Sequence, residues 1–439
     1  MHSLQPVPDT KETLIRIQHL ELSGADDALW PLVEGLDPSA RCLTLVFLHG
    51  IPLGTVQHSS HEAMDAERFR TAIWSALRDE IVKHLADDGV PAPTALDLLP
   101  ANVPCHHADT ETTVPIDVVI ATHNRPETLS RCLDSLLALD YPDFRIVVVD
   151  NAPSSDTAAD LIRQRYVTTE KVRYVREDVP GLAIAHNRGL REVTTPIVAF
   201  TDDDVVVHPN WLAAINSAFE RDARVACVTG LIFPAELDTQ AQVWAEEYWG
   251  FKKGFRRRLF DLGENRVDNP IYPYTAGMLG SGANMAFRTA FLRDMGGFDP
   301  ALGAGTRAKG GDDLSAFFET VKRGGAIAYE PAAIVFHPHH REHDMLLRQA
   351  YGYGAGLTAY LTKVVFDRPW LLLDMALRLP SAVTYVLGPH SDKNRRRPTD
   401  LPRALTTAER AGMLRGGGLY VWSRWKTRRL RREVQGARP

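Results

Sequence analysis

Four cysteines in 439 residues, Cys42, Cys105, Cys132 and Cys227, are widely spaced and never form a C-x-x-C pair. That scarcity excludes a disulfide scaffold and fits reduced thiols buried as small hydrophobes far better than a zinc site. Long apolar runs are missing too. The longest, residues 369 to 389, is interrupted by Asp374, Arg378 and Pro380, each costly or disruptive in a spanning helix of about 20 apolar residues. No transmembrane helix is expected. The chain does not open on a basic segment followed by an apolar run, so a cleaved secretory signal is not expected and the cytoplasm is the expected compartment. Repeats and low-complexity tracts are absent, and 44% hydrophobic with 24% charged residues excludes bulk disorder.

The formal charge of -5 is unevenly spread. Residues 391 to 439 hold fourteen Lys/Arg against four Asp/Glu, a tail of +10 that leaves -15 elsewhere. The length suggests two to four domains.

Residues 1 to 110 read as a small α+β unit. Residues 13 to 20 and 42 to 48 predict strands, 49 to 54 a turn, and 63 to 86 a helix with Phe69, Ile73, Leu77, Ile81 and His84 on one face. A Pro-rich stretch from 91 to 115 reads as a linker. Strands and helices then alternate: strands at 116–121, 145–149, 172–176 and 197–201, helices at 127–139, 156–166 and 183–192. Near-continuous Val/Ile strands separated by helices predict a doubly wound, mainly parallel α/β sheet. Residues 111 to 345 form this domain, and 346 to 439 a helical, basic C-terminal region.

In such sheets ligands sit beyond the carboxyl ends of the strands. There lie Thr122, His123, Asn124 and Arg125, then Asp150 and Asn151, then Asp202, Asp203 and Asp204. Three adjacent carboxylates are costly unless a cation neutralises them, and a hard divalent ion, Mg or Mn, completed by phosphate oxygens and water, would do so. Asp also favours helix N-termini, which is the simpler account of the triplet taken alone. A second acidic pair, Asp312 and Asp313, follows Gly310 and Gly311 and opens a helix, where a carboxylate is held in a fixed direction and can serve as a general base. Gly280, Gly282 and Asn284 precede it; small residues there permit close approach of a ligand or form a tight turn.

Taken in order, residues 118 to 125, 148 to 151, Asn187-Arg188-Gly189, Asp202-Asp203-Asp204, Gly282-Ala283-Asn284, Gly297-Phe298-Asp299 and Gly311-Asp312-Asp313 resemble the family 2 inverting glycosyltransferases of GT-A fold. The resemblance runs from about 115 to 340. It implies transfer of a sugar from a nucleotide diphosphate sugar to a hydroxyl acceptor, whether glycan, lipid-linked or small molecule. By the same resemblance Thr122, Asn124, Arg125, Asp150, Asn187, Asp203 and Asp312 line the nucleotide sugar, Asp202 and Asp204 serve metal and diphosphate, and Asp313 is the catalytic base. Asp312 stands where Glu is more usual, and His186 where Arg is frequent, which would lose a phosphate-side contact or make it pH-dependent. Hydrolysis of a glycoside needs two carboxylates, whereas a diphosphate whose charge a metal absorbs leaves readily, so one base suffices.

His337 follows a short strand, where the resemblance puts a His or aromatic near the diphosphate; it is the third candidate metal ligand. The other histidines of 337 to 343 read as surface or packing residues. Trp244, Tyr248, Phe251 and Phe255 form a helical aromatic stripe, an ordinary packing signature, and fall where such enzymes bind the acceptor. Trp244, Tyr248, Gly282 and Asn284 are therefore the acceptor-side candidates. Aromatics among the Lys/Arg of 391 to 439 suit an anionic membrane surface, giving peripheral attachment to the inner face of the cell membrane. A solvated tail would carry the same charges, and no reading module accompanies them, which argues against nucleic acid. Two other functions remain open: a sugar nucleotidyltransferase, disfavoured by the lack of a Gly-rich triphosphate loop after residue 121, and a non-catalytic membrane-surface scaffold.

Overall fold

The computed structural model describes residues 15–23, 40–96, 113–250, 253–388, 391, 394, 398 and 400–436. The chain divides into two compact units. The Pro-rich linker lies mostly outside the described residues, as do Cys105, Lys393 and Arg395 to Arg397 of the basic segment.

The first unit gathers the described residues up to 96 with Pro234–Trp249 and Pro338–His343. Its sheet has the order β1 (Ile15–Glu21), β2 (Arg41–Leu48), β3 (Ile51–Ser59), parallel then antiparallel. The expected turn over 49 to 54 shrinks to His49 and Gly50, both at positive φ. Pro52 and Gly54 instead enter β3, an edge strand, where a missing N–H is tolerated. A Cβ on Gly54 would overlap Leu77 of the helix Ala66–Asp87, so the small residue lets that helix reach the sheet. Phe69, Ile73, Leu77, Ile81 and His84 are its buried stripe, as the periodicity predicts.

The second unit holds a nine-stranded sheet. Its strands are β4 (Ile116–Thr122), β5 (Phe144–Asn151), β6 (Val172–Glu177), β7 (Ile197–Asp202), β8 (Val206–Val207), β9 (Val225–Pro234), β10 (Arg258–Phe260), β11 (Asn284–Arg288) and β12 (Ala326–His337). The order is β10-β12-β9-β11-β7-β4-β5-β6, with β8 paired to β12. β6, β5, β4 and β7 run parallel, and β11 is antiparallel to its neighbours β7 and β9. Alternation sends Val119, Val147 and Val149 into one core with the helices Leu182–Glu192 and Asp312–Lys322. Val118, Ile120, Ile146 and Val148 enter the other, with Pro126–Leu137 and Trp211–Arg221. Both faces are thus covered, which is why the strands are apolar throughout.

Asp117 is the exception inside β4. It is fully buried, accepts two bonds from Arg145 at 2.9 and 3.0 Å and another from the Thr194 backbone N–H at 2.8 Å, and so fastens β4 to β5 at the end away from the acidic residues.

Three long helices follow: His343–Asp367, Leu371–Leu387 and Arg403–Gly436. The last is not a free tail. A Cβ on Gly354 would overlap the Glu409 carbonyl, one on Gly412 the Tyr351 carbonyl, and one on Gly416 the Ala355 carbonyl, so two helices meet backbone to backbone. Tyr420 is buried between them and donates to Asp299 Oδ2 at 2.8 Å. Gly412→Leu forces the helices apart; overpacking of this kind costs about 1–3 kcal/mol. A lower unfolding midpoint in a thermal melt is the expected outcome.

Candidate functional site

Register assembles the site. In the parallel ladders Thr122 is opposite Asp150 and Ala121 opposite Asp202, while Asn284 pairs with Thr201. The carboxyl ends of β4, β5 and β7 and the start of β11 therefore share one edge. Antiparallel β12 pairs Phe336 with Val206 and ends on His337.

Asp202, Asp204 and His337 each offer a ligand atom within 4.8 Å of the others. His337 Nε2 lies 3.6 Å from Asp202 Oδ2 and 3.7 Å from Asp204 Oδ1. Asp204 Oδ1 is buried with no hydrogen-bond partner. Burial pushes the Asp204 carboxyl up, against the pull of His337. Burial opposes ionisation of Asp202 as well, yet His337, His186 and Arg125 together hold it below the usual range. Two oxygens and an imidazole nitrogen with one orphaned anionic oxygen form a donor set suited to a divalent ion.

Asp203 points elsewhere. It accepts from Thr122 Oγ1 at 2.6 Å and lies 3.5 Å from Arg125, whose guanidinium also reaches Asp204 at 3.2 Å. Burial raises Asp203 to about 6, with Thr122 opposing. Thr122 and Asp203, expected at the nucleotide sugar, are both buried and brace the loop.

Asp150 keeps one buried oxygen, Oδ1, without a partner, while Oδ2 accepts from Tyr174 at 2.9 Å. Burial pushes its carboxyl up. An orphaned acceptor at a strand end is what a ligand hydroxyl or N–H would satisfy. Asn124, in the left-handed region at φ 54°, accepts from the Ser154 N–H at 3.0 Å and so ties two loops together.

The helix Asp312–Lys322 starts at Gly311, whose φ of 87° suits glycine and whose Cβ would overlap the Gly356 carbonyl. Asp313 accepts from the N–H of Gly282 at 3.0 Å and from that of Leu314 at 2.8 Å, which fixes its carboxylate. Burial pushes Asp313 up, the two N–H groups oppose, and Asp202 adds to the rise. It is a stronger base than an exposed Asp. Tyr353, unmarked by any local motif, lies close enough that Asp313 and Asp202 raise its hydroxyl further after burial.

Several expectations need correction. Asn284 is 1% exposed, donates to Leu231 O and Ala333 O at 3.0 and 2.7 Å, and accepts from Trp211 Nε1 at 2.9 Å. Its amide is consumed inside the core and has nothing left for an acceptor. Asn187 donates to Phe298 O and accepts from Phe298 N–H, so it clamps the 296–299 turn instead of meeting a sugar. Asp312 is buried with its carboxyl 3.9 Å from His186 Nδ1. Burial and then Asp313 raise it to about 7. His186 is enclosed among Phe200 and Phe298, and burial lowers it to about 4. Trp244 and Tyr248 belong to the first unit, where both are buried and Trp244 packs edge-on to His343. That is the packing half of the two readings.

Asn284→Ala would strand the Trp211 N–H and two carbonyls; at about 1–3 kcal/mol for each unsatisfied buried group, the expected loss is several kcal/mol in a denaturant melt. Asp150→Asn, which changes only the orphaned edge, should leave stability within about 1 kcal/mol.

Residues 117–284 match the family model of glycosyl transferase family 2. The pre-mycofactocin glycosyltransferase of Mycobacterium tuberculosis is 28% identical over 276 residues, 63% of this chain and 52% of that protein. A validoxylamine A glucosyltransferase of Streptomyces hygroscopicus is 33% identical over 122 residues, 27% of this chain and 28% of that one. The glucosyl-dolichyl phosphate glucuronosyltransferase of Haloferax volcanii is 22% identical over 191 residues, 43% and 57%. The chain spans about half the length of the first of these relatives. Among solved structures, a mannosyltransferase from Pyrobaculum calidifontis in complex with GDP-Man and Mn2+ aligns at 21% identity and a TM-score of 0.45, covering 70% of this chain and 87% of that one. The segment 117–284, from β4 to the start of β11, is thus a family 2 glycosyltransferase domain, and the mainly parallel sheet described above is of the GT-A type.

Proposed function

We propose that the second unit transfers a sugar from a nucleoside diphosphate sugar to a hydroxyl acceptor, with inversion and with Mg or Mn as cofactor. The observation that carries the reading is the convergence of Asp202, Asp204 and His337 beside a separately fixed base, Asp313. Asp202, Asp204 and His337 would hold the ion, and the imidazole makes Mn at least as suitable as Mg. A bound divalent ion supplies positive charge to the diphosphate leaving group. Asp150, through its free oxygen, accepts a hydrogen bond from the nucleoside.

Asp313 takes the proton of the acceptor hydroxyl as that oxygen bonds to the anomeric carbon and the bond to the diphosphate breaks on the opposite face. The Gly282 and Leu314 N–H groups keep the carboxylate oriented through this transfer. The relatives' printed names span small-molecule and lipid-phosphate acceptors, in keeping with a base that asks only for a hydroxyl.

Asp313→Asn should lower turnover at least about a hundredfold while nucleotide binding, read by thermal shift with Mn, stays within a few fold. Full turnover in that variant would remove Asp313 from its role. Release of pyrophosphate in place of nucleoside diphosphate would favour a nucleotidyltransferase, and no turnover with any sugar nucleotide a scaffold. Asp313 must be ionised to act. Its pKa lies above that of an ordinary Asp, so kcat should fall with falling pH from a point above the usual carboxylate range.

A peripheral site on an anionic membrane surface, facing the cytoplasm, belongs to the same proposal. No helix among the described residues is long and apolar enough to cross a membrane. The helix Leu371–Leu387 has no buried residue. Asp374 holds it to the protein by accepting from Tyr274 at 2.7 Å, while Leu373 and Leu377 are 70% and 74% exposed, with Trp370, Leu372 and Leu379 beside them. Apolar and interfacial aromatic residues flanked by the Lys/Arg that follow in the sequence fit an anionic lipid surface. Leu373→Glu with Leu377→Glu should abolish cosedimentation with phosphatidylglycerol vesicles; unchanged binding would discard this part of the proposal.

A further inference from the structure

The first unit contains a cluster that sugar transfer does not use. His49 occupies the turn between β2 and β3 at φ 54°, a conformation uncommon for residues other than glycine. His84 and Asp88 stand one helical turn apart at the end and C-cap of the helix Ala66–Asp87. His49 Nδ1 lies 3.0 Å from His84 Nε2 and 3.4 Å from Asp88 Oδ2, and His84 Nε2 lies 3.2 Å from the same oxygen. The three side chains are 9%, 5% and 0% exposed.

Hydrogen bonds serve this triangle poorly. A proton on any edge points away from the third atom, and linear geometry is what makes such a bond strong. A central cation satisfies all three at once. Zinc binds His nitrogen at about 2.0–2.1 Å and carboxylate oxygen at about 2.0–2.2 Å, so the ligand atoms on one tetrahedral face are separated by about 3.3–3.4 Å. The observed edges of 3.0 to 3.4 Å are close to that face.

The backbone is prepared as well. Glu21, at the end of β1, accepts from the N–H groups of His49 and Gly50 at 2.9 Å each, which fixes the turn that presents the imidazole. Two imidazoles and one carboxylate select zinc or a similar first-row ion over Mg or Ca, which prefer all-oxygen sets.

We propose that His49, His84 and Asp88 bind one zinc-class ion that clamps the β2–β3 turn to the end of the helix Ala66–Asp87. The site is structural, because its ligands are enclosed and it joins elements 35 residues apart in sequence. One position remains for water or a fourth donor.

The full-length chain with Asp202→Asn and Asp204→Asn, which disables the other metal-type cluster, should retain one zinc per chain after dialysis, read by elemental analysis. Cobalt in its place should give the visible absorption of a tetrahedral nitrogen-oxygen set. His84→Gln in that background should raise the zinc dissociation constant at least about tenfold, since even the outer partners of metal ligands are worth that much, and should remove the zinc-dependent rise in unfolding midpoint. His49→Gln, at a surface turn, is the second variant should His84→Gln not fold. Zinc content unchanged by either substitution, or no zinc and no tetrahedral cobalt spectrum in the parent chain, would overturn the proposal.

Discussion

Carboxylate crowding is the constraint around which the second unit is organised. Asp202, Asp203, Asp204, Asp312 and Asp313 lie close enough to shift one another's protonation, with Asp203 and Asp312 buried and the others half-buried. Like charges withdrawn from water are costly, so each must be answered separately. Asp203 receives a hydroxyl and a guanidinium, Asp313 two backbone N–H groups, and Asp202 the imidazole of His337. Asp312 has backbone N–H groups and His186 at 3.9 Å, yet burial and Asp313 still raise it to about 7. Asp204 Oδ1, 3.7 Å from His337, is buried without a hydrogen bond. The least answered oxygen of the cluster thus lies in the candidate metal group of Asp202, Asp204 and His337.

That arrangement depends on glycine at some distance. Gly311 starts the helix that carries Asp312 and Asp313, and its turn presses on Gly356 with no room for a Cβ at either residue. The helix bearing Gly356 is gripped in turn at Gly354 by the C-terminal helix through Gly412 and Gly416. A run of small residues thus links the last helix to the turn that carries Asp313. Tyr420, bonded to Asp299, adds a second support near the Gly296–Gly297 turn that Asn187 clamps.

Much of the frame was legible because its signals are local. Apolar strands, their intervening helices and the polar residues at strand ends sit within short windows, and parallel register then brings Thr122, Asp150 and Asp202 to one edge without further instruction. Side-chain direction was not legible. Asn284, Asn187, Asp312 and His186 occupy motif positions, yet each turns inward, which depends on partners such as Trp211 and Phe298 that lie 73 to 111 residues away. The zinc-class cluster escaped for the same reason: His84 was visible as a polar residue on an apolar helix face, but its partner His49 enters only through the fold. The histidines of 337 to 343 serve other partners: His339 pairs with Glu246 at 3.1 Å and His337 turns to Asp202 and Asp204.

The C-terminal charge also changes meaning. As sequence, +10 in 49 residues reads as an electrostatic anchor. In the fold, part of that charge is engaged: Arg424 faces Asp367 at 4.0 Å and packs over Phe366, and the neighbouring Trp422 takes the Arg307 guanidinium on its ring at 4.3 Å. Alongside exposed charge, the protein leaves apolar residues uncovered along Leu371–Leu387. Salt screens exposed charges within about 10 Å at 0.1 M but leaves apolar burial intact. On the proposed membrane reading, then, added salt should slow recruitment more than it loosens the seated protein, because insertion of Leu373 and Leu377 supplies the part of the binding that ions do not reach.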